Sequence, residues 1–512
     1  MNRLLFSISV LLANCWQLSA QTPADALRFS SFEVLGTART VGVGGAIGAL
    51  GADFSTISTN PAGLATFRRS EFTFTPSLFL NSTDATLNDG GAGAFTEDKL
   101  AFNLNNLGLV FAREGRRSNW RTSNFSIGIN RIANFQQDID YRGQTRGSYI
   151  DFLQEASIGL LPSELSNFTT GLGFDTQALY DLDDDQFYET DVELNGDAVL
   201  EKSETIRRRG GINELSFAYA GNFKERLMIG LAVGVPILSY TEEKVYDEAD
   251  PNDEVPFYRS LQFNENLTTT GSGINAKLGL IFRVSQAVRI GAAVHTPTRF
   301  NLTDDYDTRM VYDYVDDDND GPLESASPPE QSQFSYNFRT PWRFIGSAGF
   351  IIGRSGFIST EVEYLKYSGA EFELTANDPS QSTQEFQQNT NRAIANIYQS
   401  AINIRIGGEY ALQMLRFRLG AILSGTPYAD TYIQENPNIR GIGDTRLTYS
   451  AGLGLRQERF FLDLAIRLAD QEGTYEPYSI SADYAASNNI PTNSVTTNSL
   501  QSHLLLTFGY KF

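Results

Sequence analysis

Few side chains in this sequence could carry out chemistry. The only histidines are His295 and His503. Both sit in stretches that alternate apolar and polar residues, and neither falls at metal-ligand spacing or in a Ser/His arrangement. A lipase using His295 as its base is the enzyme alternative, but no nucleophile signature accompanies it, so no catalytic residue and no enzyme activity are expected. The single cysteine, Cys15, lies in Met1 to Ala20. That stretch has a basic Arg3, an apolar run from Leu4 to Ala13, and Leu18-Ser19-Ala20 before Gln21, the pattern of an export signal. The exported chain would then lack cysteine, which excludes disulfides and thiol chemistry.

One acidic run has metal-binding character. Asp316, Asp318 and Asp320 followed by Gly321 match the D-x-D-x-D-G opening of a calcium loop. The twelfth position is Ser327 rather than a bidentate Glu, and prolines flank the run. A solvated acidic loop is therefore the simpler reading, with Ca2+ as the alternative and no other cofactor expected. Acidic runs recur at Asp181 to Asp185 and Asp247 to Glu254, and the net charge is -21, a balance that repels nucleic acid. Against it stands Arg207-Arg208-Arg209, read as a cluster balancing nearby acids, with a lipid head-group contact as the alternative.

The elements that must position these residues are strands. Beyond the signal there is no apolar run of about 18 residues, so no helix of this chain is expected to cross a membrane. Many segments instead alternate with a period of two. Ile402, Ile404 and Ile406 alternate with Asn403, Arg405 and Gly407, and Leu462, Leu464, Ile466 and Leu468 alternate with Asp463, Ala465 and Arg467. Such segments fall near 70-80, 101-113, 121-134, 212-223, 226-241, 258-284, 287-302, 334-352, 356-370, 399-411, 414-425, 445-457, 459-470 and 501-512. Their connections alternate between short and long, as in a barrel with short turns at one rim and long loops at the other. The fold expected is all-β, a fourteen-stranded antiparallel transmembrane β-barrel. In the longest loop, Ser148 to Leu161 predicts a short amphipathic helix, serving either as a docking element or as packing for its own barrel. The chain ends with Leu504, Leu506, Phe508, Tyr510 and Phe512 on one strand face.

Leu35 to Leu64 is too rich in Gly and Ala to be an ordinary core. Gly42, Gly44, Gly45, Gly48 and Gly51 permit close backbone approach, and Val41, Val43, Ile47 and Leu50 among them require burial. A flexible linker would not carry those apolar residues. The glycine spacing also departs from the dinucleotide fingerprint, and no apolar strand precedes it. The stretch reads as a plug inside the barrel.

Gly42, Gly44-Gly45-Ala46, Ala52-Asp53 and Asn60-Pro61-Ala62-Gly63-Leu64 resemble the N-terminal hatch of the FadL/TodX outer-membrane transporters. Thr340-Pro341-Trp342-Arg343-Phe344 and Glu361-Val362-Glu363-Tyr364 extend the resemblance, and the terminal Phe is similar to the assembly signal of outer-membrane proteins. The resemblance implies residues 1-20 as signal, 21-69 as hatch and 70-512 as barrel. Gly42, Gly44, Gly45, Asn60, Pro61, Ala62, Gly63 and Leu64 would be gating residues. It implies import of hydrophobic molecules such as long-chain fatty acids or aromatic hydrocarbons across the outer membrane of a Gram-negative bacterium. Loop capture, binding in an apolar lumen, hatch movement and lateral exit would follow one another. A monomer in contact with outer-membrane lipid is expected. The alternative is a barrel that handles secreted protein cargo, since the receiving barrel of type IX secretion is similar to this family too.

Overall fold

The computed structural model describes residues 21-512 except 116-118, 184, 316-322, 329-331, 375-380, 437-438, 440, 442, 489 and 492. One antiparallel sheet of nineteen strands closes on itself. In chain order these are β1 (Glu71–Leu87), β2 (Phe95–Glu114), β3 (Trp120–Asn134), β4 (Gln137–Thr145), β5 (Leu200–Phe223) and β6 (Leu227–Ala249). Then come β7 (Tyr258–Arg283), β8 (Val288–His295), β9 (Arg299–Tyr314), β10 (Leu323–Ala326), β11 (Ser332–Arg339), β12 (Arg343–Ile352) and β13 (Gly356–Lys366). The remainder are β14 (Glu371–Leu374), β15 (Ser400–Leu412), β16 (Leu415–Ser424), β17 (Arg446–Arg456), β18 (Phe460–Tyr475) and β19 (Val495–Lys511). Several are collinear pieces of one stave: β3 with β4, β8 with β9, β12 with β11 and β10, and β13 with β14. Counted as staves the wall has fourteen, and pairing of β1 with β19 from Glu71↔Lys511 to Leu87↔Val495 shuts it.

The wall is inside out relative to a water-soluble core. Leu462, Leu464, Ile466 and Leu468 face outward and are exposed, while Asp463, Ala465 and Arg467 between them are buried. Leu504, Leu506 and Phe508 do the same on β19. An apolar outer band over a polar interior is stable only where lipid surrounds it. Among the described residues no helix is long and apolar enough to cross a membrane. The strands thus do the crossing.

Two expected strands, 287-302 and 334-352, are each broken in two. The breaks fall at Thr296-Pro297-Thr298 and Thr340-Pro341-Trp342, because proline cannot donate to a ladder inside a sheet. A third break, Tyr367–Gly369, interrupts the expected 356-370 strand. The expected loop from Phe135 to Gly211 is also shorter, since β4 and the first half of β5 extend the hairpin beyond the membrane band.

Residues 21 to 67 run inside the ring. A helix at Pro23–Ser30, capped by Thr22, leads to a short helix at Ala38–Gly42 and two 3-10 turns at Phe54–Ser58 and Pro61–Thr66. The segment bonds to the wall on every side. Ala38 N donates to Thr507 Oγ1 on β19 at 2.7 Å, and Gly48 N to Glu361 Oε2 on β13 at 3.1 Å. Asn124 Nδ2 on β3 donates to Leu64 O at 2.8 Å, and Arg289 Nη1 on β8 to Leu50 O at 3.0 Å. Wall glycines make the room. A Cβ at Gly420 would lie 2.2 Å from Gly44 N, and one at Gly230 would lie 2.3 Å from the carbonyl carbon of Pro61.

Candidate functional site

The Asn60-Pro61 corner is the best-specified part of the inner segment. Pro61 stands at the first position of its 3-10 turn, where its fixed φ is an advantage and its missing N–H costs nothing. Asn60 uses its whole amide. Its Oδ1 accepts from Ala62 N at 3.1 Å, while Nδ2 donates to Gly48 O at 2.7 Å and to Leu280 O on β7 at 3.1 Å. One side chain therefore caps the turn, ties it to the glycine stretch and pins both to the wall. A second knot is Asp53, which accepts from Thr37 Oγ1 at 2.8 Å, Thr40 Oγ1 at 2.9 Å and Ser55 N at 2.9 Å. Gly44 and Gly45 both have positive φ, and Gly42 lies 3.3 Å from the Cα of Gly452 as a Cβ would see it. Ala62, Gly63 and Leu64 are buried against β5, β6 and β7. We expect Asn60→Ala to loosen the segment by roughly 2–4 kcal/mol, the sum of its buried hydrogen bonds and the carbonyls left unpaired. Faster labelling of a cysteine placed at Ala62 in the variant is the readout, and equal rates would refute the pinning role.

Around the segment the wall presents ion pairs. Arg405 on β15 holds Glu361 at 2.6 Å and Glu363 at 2.7 Å, and Glu363 also takes Arg343 at 2.9 Å. Arg418 on β16 bridges Glu409 at 2.7 Å and Asp463 at 2.8 Å. Lys277 pairs with Glu214. This level of the lumen is polar, whereas the resemblance implied an apolar one. The apolar lining lies above it, toward the long loops, where Phe29 meets Tyr240 and Phe338 edge-on at 6.3 and 6.1 Å and Phe300 and Phe372 join the same cluster.

Above the aromatic layer the long loop folds inward. Its helix spans Tyr149–Ser157 with Ser148 as cap, inside the predicted stretch. Tyr149, Ile150 and Leu153 pack with Leu261, Phe263 and Met310, so its apolar face is spent on its own barrel. Glu248 on β6 fastens it, accepting from Tyr149 N at 3.1 Å, Tyr246 Oη at 2.8 Å and Tyr258 Oη at 3.0 Å. Asp151 closes the cap by accepting from Ser148 N at 2.6 Å, and burial pushes its carboxyl up to about 6 from an ordinary 3.8. The packed loop thus binds more protons than the released one between those values, so its packing weakens as pH rises from about 4 to about 6. Amide exchange of residues 149–157, corrected for intrinsic rates, should show this, and Asp151→Asn should flatten it. A pH-independent wild-type profile would contradict the prediction.

The two histidines stand on different staves. His295 Nε2 lies 2.6 Å from Thr59 O, holding the inner segment, and the His503 ring meets Phe79 at a tilt, with centroids 4.5 Å apart. Arg208 and Arg209 pair with Glu242 and Glu243 on β6 at 2.5 and 3.5 Å, the charge-balancing reading of that cluster. Asp316, Asp318 and Asp320 lie outside the described residues. Sequence reasoning missed the Arg405, Arg418 and Lys277 pairs. Their signal was charged residues on the inner face of otherwise apolar strands.

A closed ring of fourteen staves, apolar outside and filled along its axis by its own N-terminal segment, is a transmembrane β-barrel of the occluded kind. No protein family matches the sequence, and no curated protein does. Among solved structures, a Pseudomonas aeruginosa FadL homologue superposes with a TM-score of 0.51 at 13% identity, over 94% of this chain and 100% of that one. The Pseudomonas putida toluene transporter TodX superposes with a TM-score of 0.50 at 11% identity, again over 94% and 100%. This chain has their fold, as the hatch-like motifs led us to expect.

Proposed function

We propose that the protein is an outer-membrane channel of a Gram-negative bacterium that admits hydrophobic small molecules by diffusion. The observation that carries this reading is the layered lumen. Packed loop, aromatic cluster and polar-walled inner segment follow one another along the barrel, and the aromatic layer is built from Phe29, Tyr240, Phe300 and Phe338. Lipopolysaccharide slows apolar solutes, and an aromatic interior lowers their transfer cost by about 25 cal/mol per Å² of apolar surface removed from water. The fold it shares with a toluene transporter and a FadL homologue supports the same reading. In this reading the loops capture the solute, and the inner segment, through Gly42, Gly44, Gly45 and Asn60 to Leu64, moves to let it pass. Uptake of labelled oleate and labelled toluene by cells with an intact lipopolysaccharide leaflet, with and without the protein, tests it. We expect faster entry of at least one of them and no change for a labelled sugar. Equal entry of both hydrophobic probes with and without the protein would refute the channel.

A further inference from the structure

The breaks in the wall line up and shape its outer face. Arg299 pairs with Arg339 and Arg339 with Glu371, whereas His295 pairs with Arg343 and Arg343 with Leu365. Thr296-Pro297-Thr298, Thr340-Pro341-Trp342 and the stretch from Tyr367 to Ala370 lie between those two levels, so three adjacent staves are interrupted at one height. Where the ladder stops, the outer surface sinks into a recess of ≈ 670 Å³ lined by Arg339, Trp342, Phe344, Tyr364, Lys366 and Gly369. Its floor is shut. Thr340 and Pro341 are buried there, and Thr340 N donates to Thr298 O at 3.0 Å.

The recess straddles a change of solvent. On its long-loop side the outward residues are polar, Asn301 bonded to Asn337 and Thr303 to Ser335. On its other side they are apolar, and Phe344 and Tyr364 also line a groove of ≈ 530 Å³ that runs along the wall past Leu278, Leu280 and Val362. Long loops mark the outer rim of such barrels, so the recess lies at the head-group level of the outer leaflet. Trp342 and Phe344 stand there nearly parallel, 16° apart with ring centroids at 6.4 Å, and Trp342 is 48% exposed. A flat, exposed aromatic plate at that height suits the apolar face of a sugar ring.

Charge gives the recess a preference. Even-numbered residues of β9 and β11 point inward, as Phe300 and Phe338 do, so Arg299 and Arg339 point out. They are directly opposite one another on adjacent staves, a like-charge pair that is destabilising by itself. Glu371 and Glu373 take Arg339 from its other side. Arg299 and Lys366 are exposed and have no ion pair among the described residues. Elsewhere toward the long loops the cations are matched, Arg208 by Glu242 and Arg209 by Glu243. An anion shared by Arg299, Arg339 and Lys366 would relieve the repulsion. Guanidinium forks fit phosphate oxygens in pairs, and a lysine adds a point charge.

We propose that the recess binds the phosphorylated sugar head of the outer-leaflet glycolipid, lipid A. Its phosphate lies on Arg299, Arg339 and Lys366, its sugar on Trp342, and one acyl chain in the groove beside Phe344 and Tyr364. The site holds lipid against the wall and passes nothing through it, so it stands whether or not the barrel is a channel.

The test uses the full-length protein in detergent micelles, with bound lipid counted by native mass spectrometry. The probes are bisphosphorylated lipid A, the same lipid A after phosphatase treatment, and phosphatidylglycerol. Gly369→Trp fills the recess, where a Cβ meets nothing within 4 Å. Arg299→Gln combined with Lys366→Gln removes the two unpaired cations. Arg354→Gln, at an exposed position in a short turn on the opposite rim, is the control. Bisphosphorylated lipid A is expected to bind wild type and Arg354→Gln equally, and to bind Gly369→Trp and the double variant about tenfold more weakly. Removing the phosphates should weaken binding to wild type by a similar factor, a comparison that needs no variant to fold. Heat-modifiability shows that the variant barrels are closed. Equal binding of lipid A with and without its phosphates would overturn the site. Equal binding of phosphatidylglycerol would overturn it too, reducing the patch to a general contact with anionic lipid.

Discussion

A chain lacking Thr22 to Phe67 is expected to insert and close its barrel, yet to conduct small ions at least about ten times better than the intact protein, as wide unplugged barrels do. Closure does not depend on the inner segment, because β1 pairs directly with β19 along its length and no stave comes from residues 21 to 67. What the segment covers is polar. Glu361, Arg405, Arg418 and Asp463 would all face the vacated space and hydrate. Planar-bilayer conductance measures the effect, and gel heat-modifiability shows whether the barrel closed. A closed barrel with wild-type conductance would mean that the packed loop, not the segment, is the seal.

The second large effect is expected from Arg405→Met. Arg405 is buried and bonds two buried carboxylates, one of which, Glu361, in turn accepts from Gly48 N. Removing the guanidinium leaves Glu361 without a cation and should cost about 3–5 kcal/mol, the penalty for orphaning a buried charge. Because Glu361 anchors the inner segment, the loss should also raise ion leak. Adding Glu361→Gln removes the stranded charge and should recover most of the stability. Urea unfolding in detergent micelles gives the first quantity and bilayer recording the second. An Arg405→Met protein as stable as wild type would show that water, not the ion pair, carries the local charge.

The sequence by itself determined the class of fold. A period of two is imposed wherever one face of a strand meets lipid and the other the interior, so Leu462 to Leu468 and Ile402 to Ile406 could be assigned faces correctly without coordinates. The short turns, which the structure places at 353-355, 413-414 and 457-459, fall within a residue of where turn residues interrupt that period, and loop parity followed. The helix within Ser148 to Leu161 was legible because apolar spacing is a local signal, and the structure adds its Ser148 cap. Asn60-Pro61 announced a fixed corner for the same reason, although the partners of Asn60, Gly48 and Leu280, were invisible. Contacts that join distant parts of the chain leave no periodic trace. That is why Arg405 could be seen to face inward but not to hold Glu361 and Glu363, and why the match of Gly420 to Gly44 and of Gly230 to Pro61 waited for the closed ring. The aligned breaks were half visible. Pro297 and Pro341 both signalled interruption, but whether two interruptions stand at one height depends on register between staves, and register is decided only when the whole barrel closes.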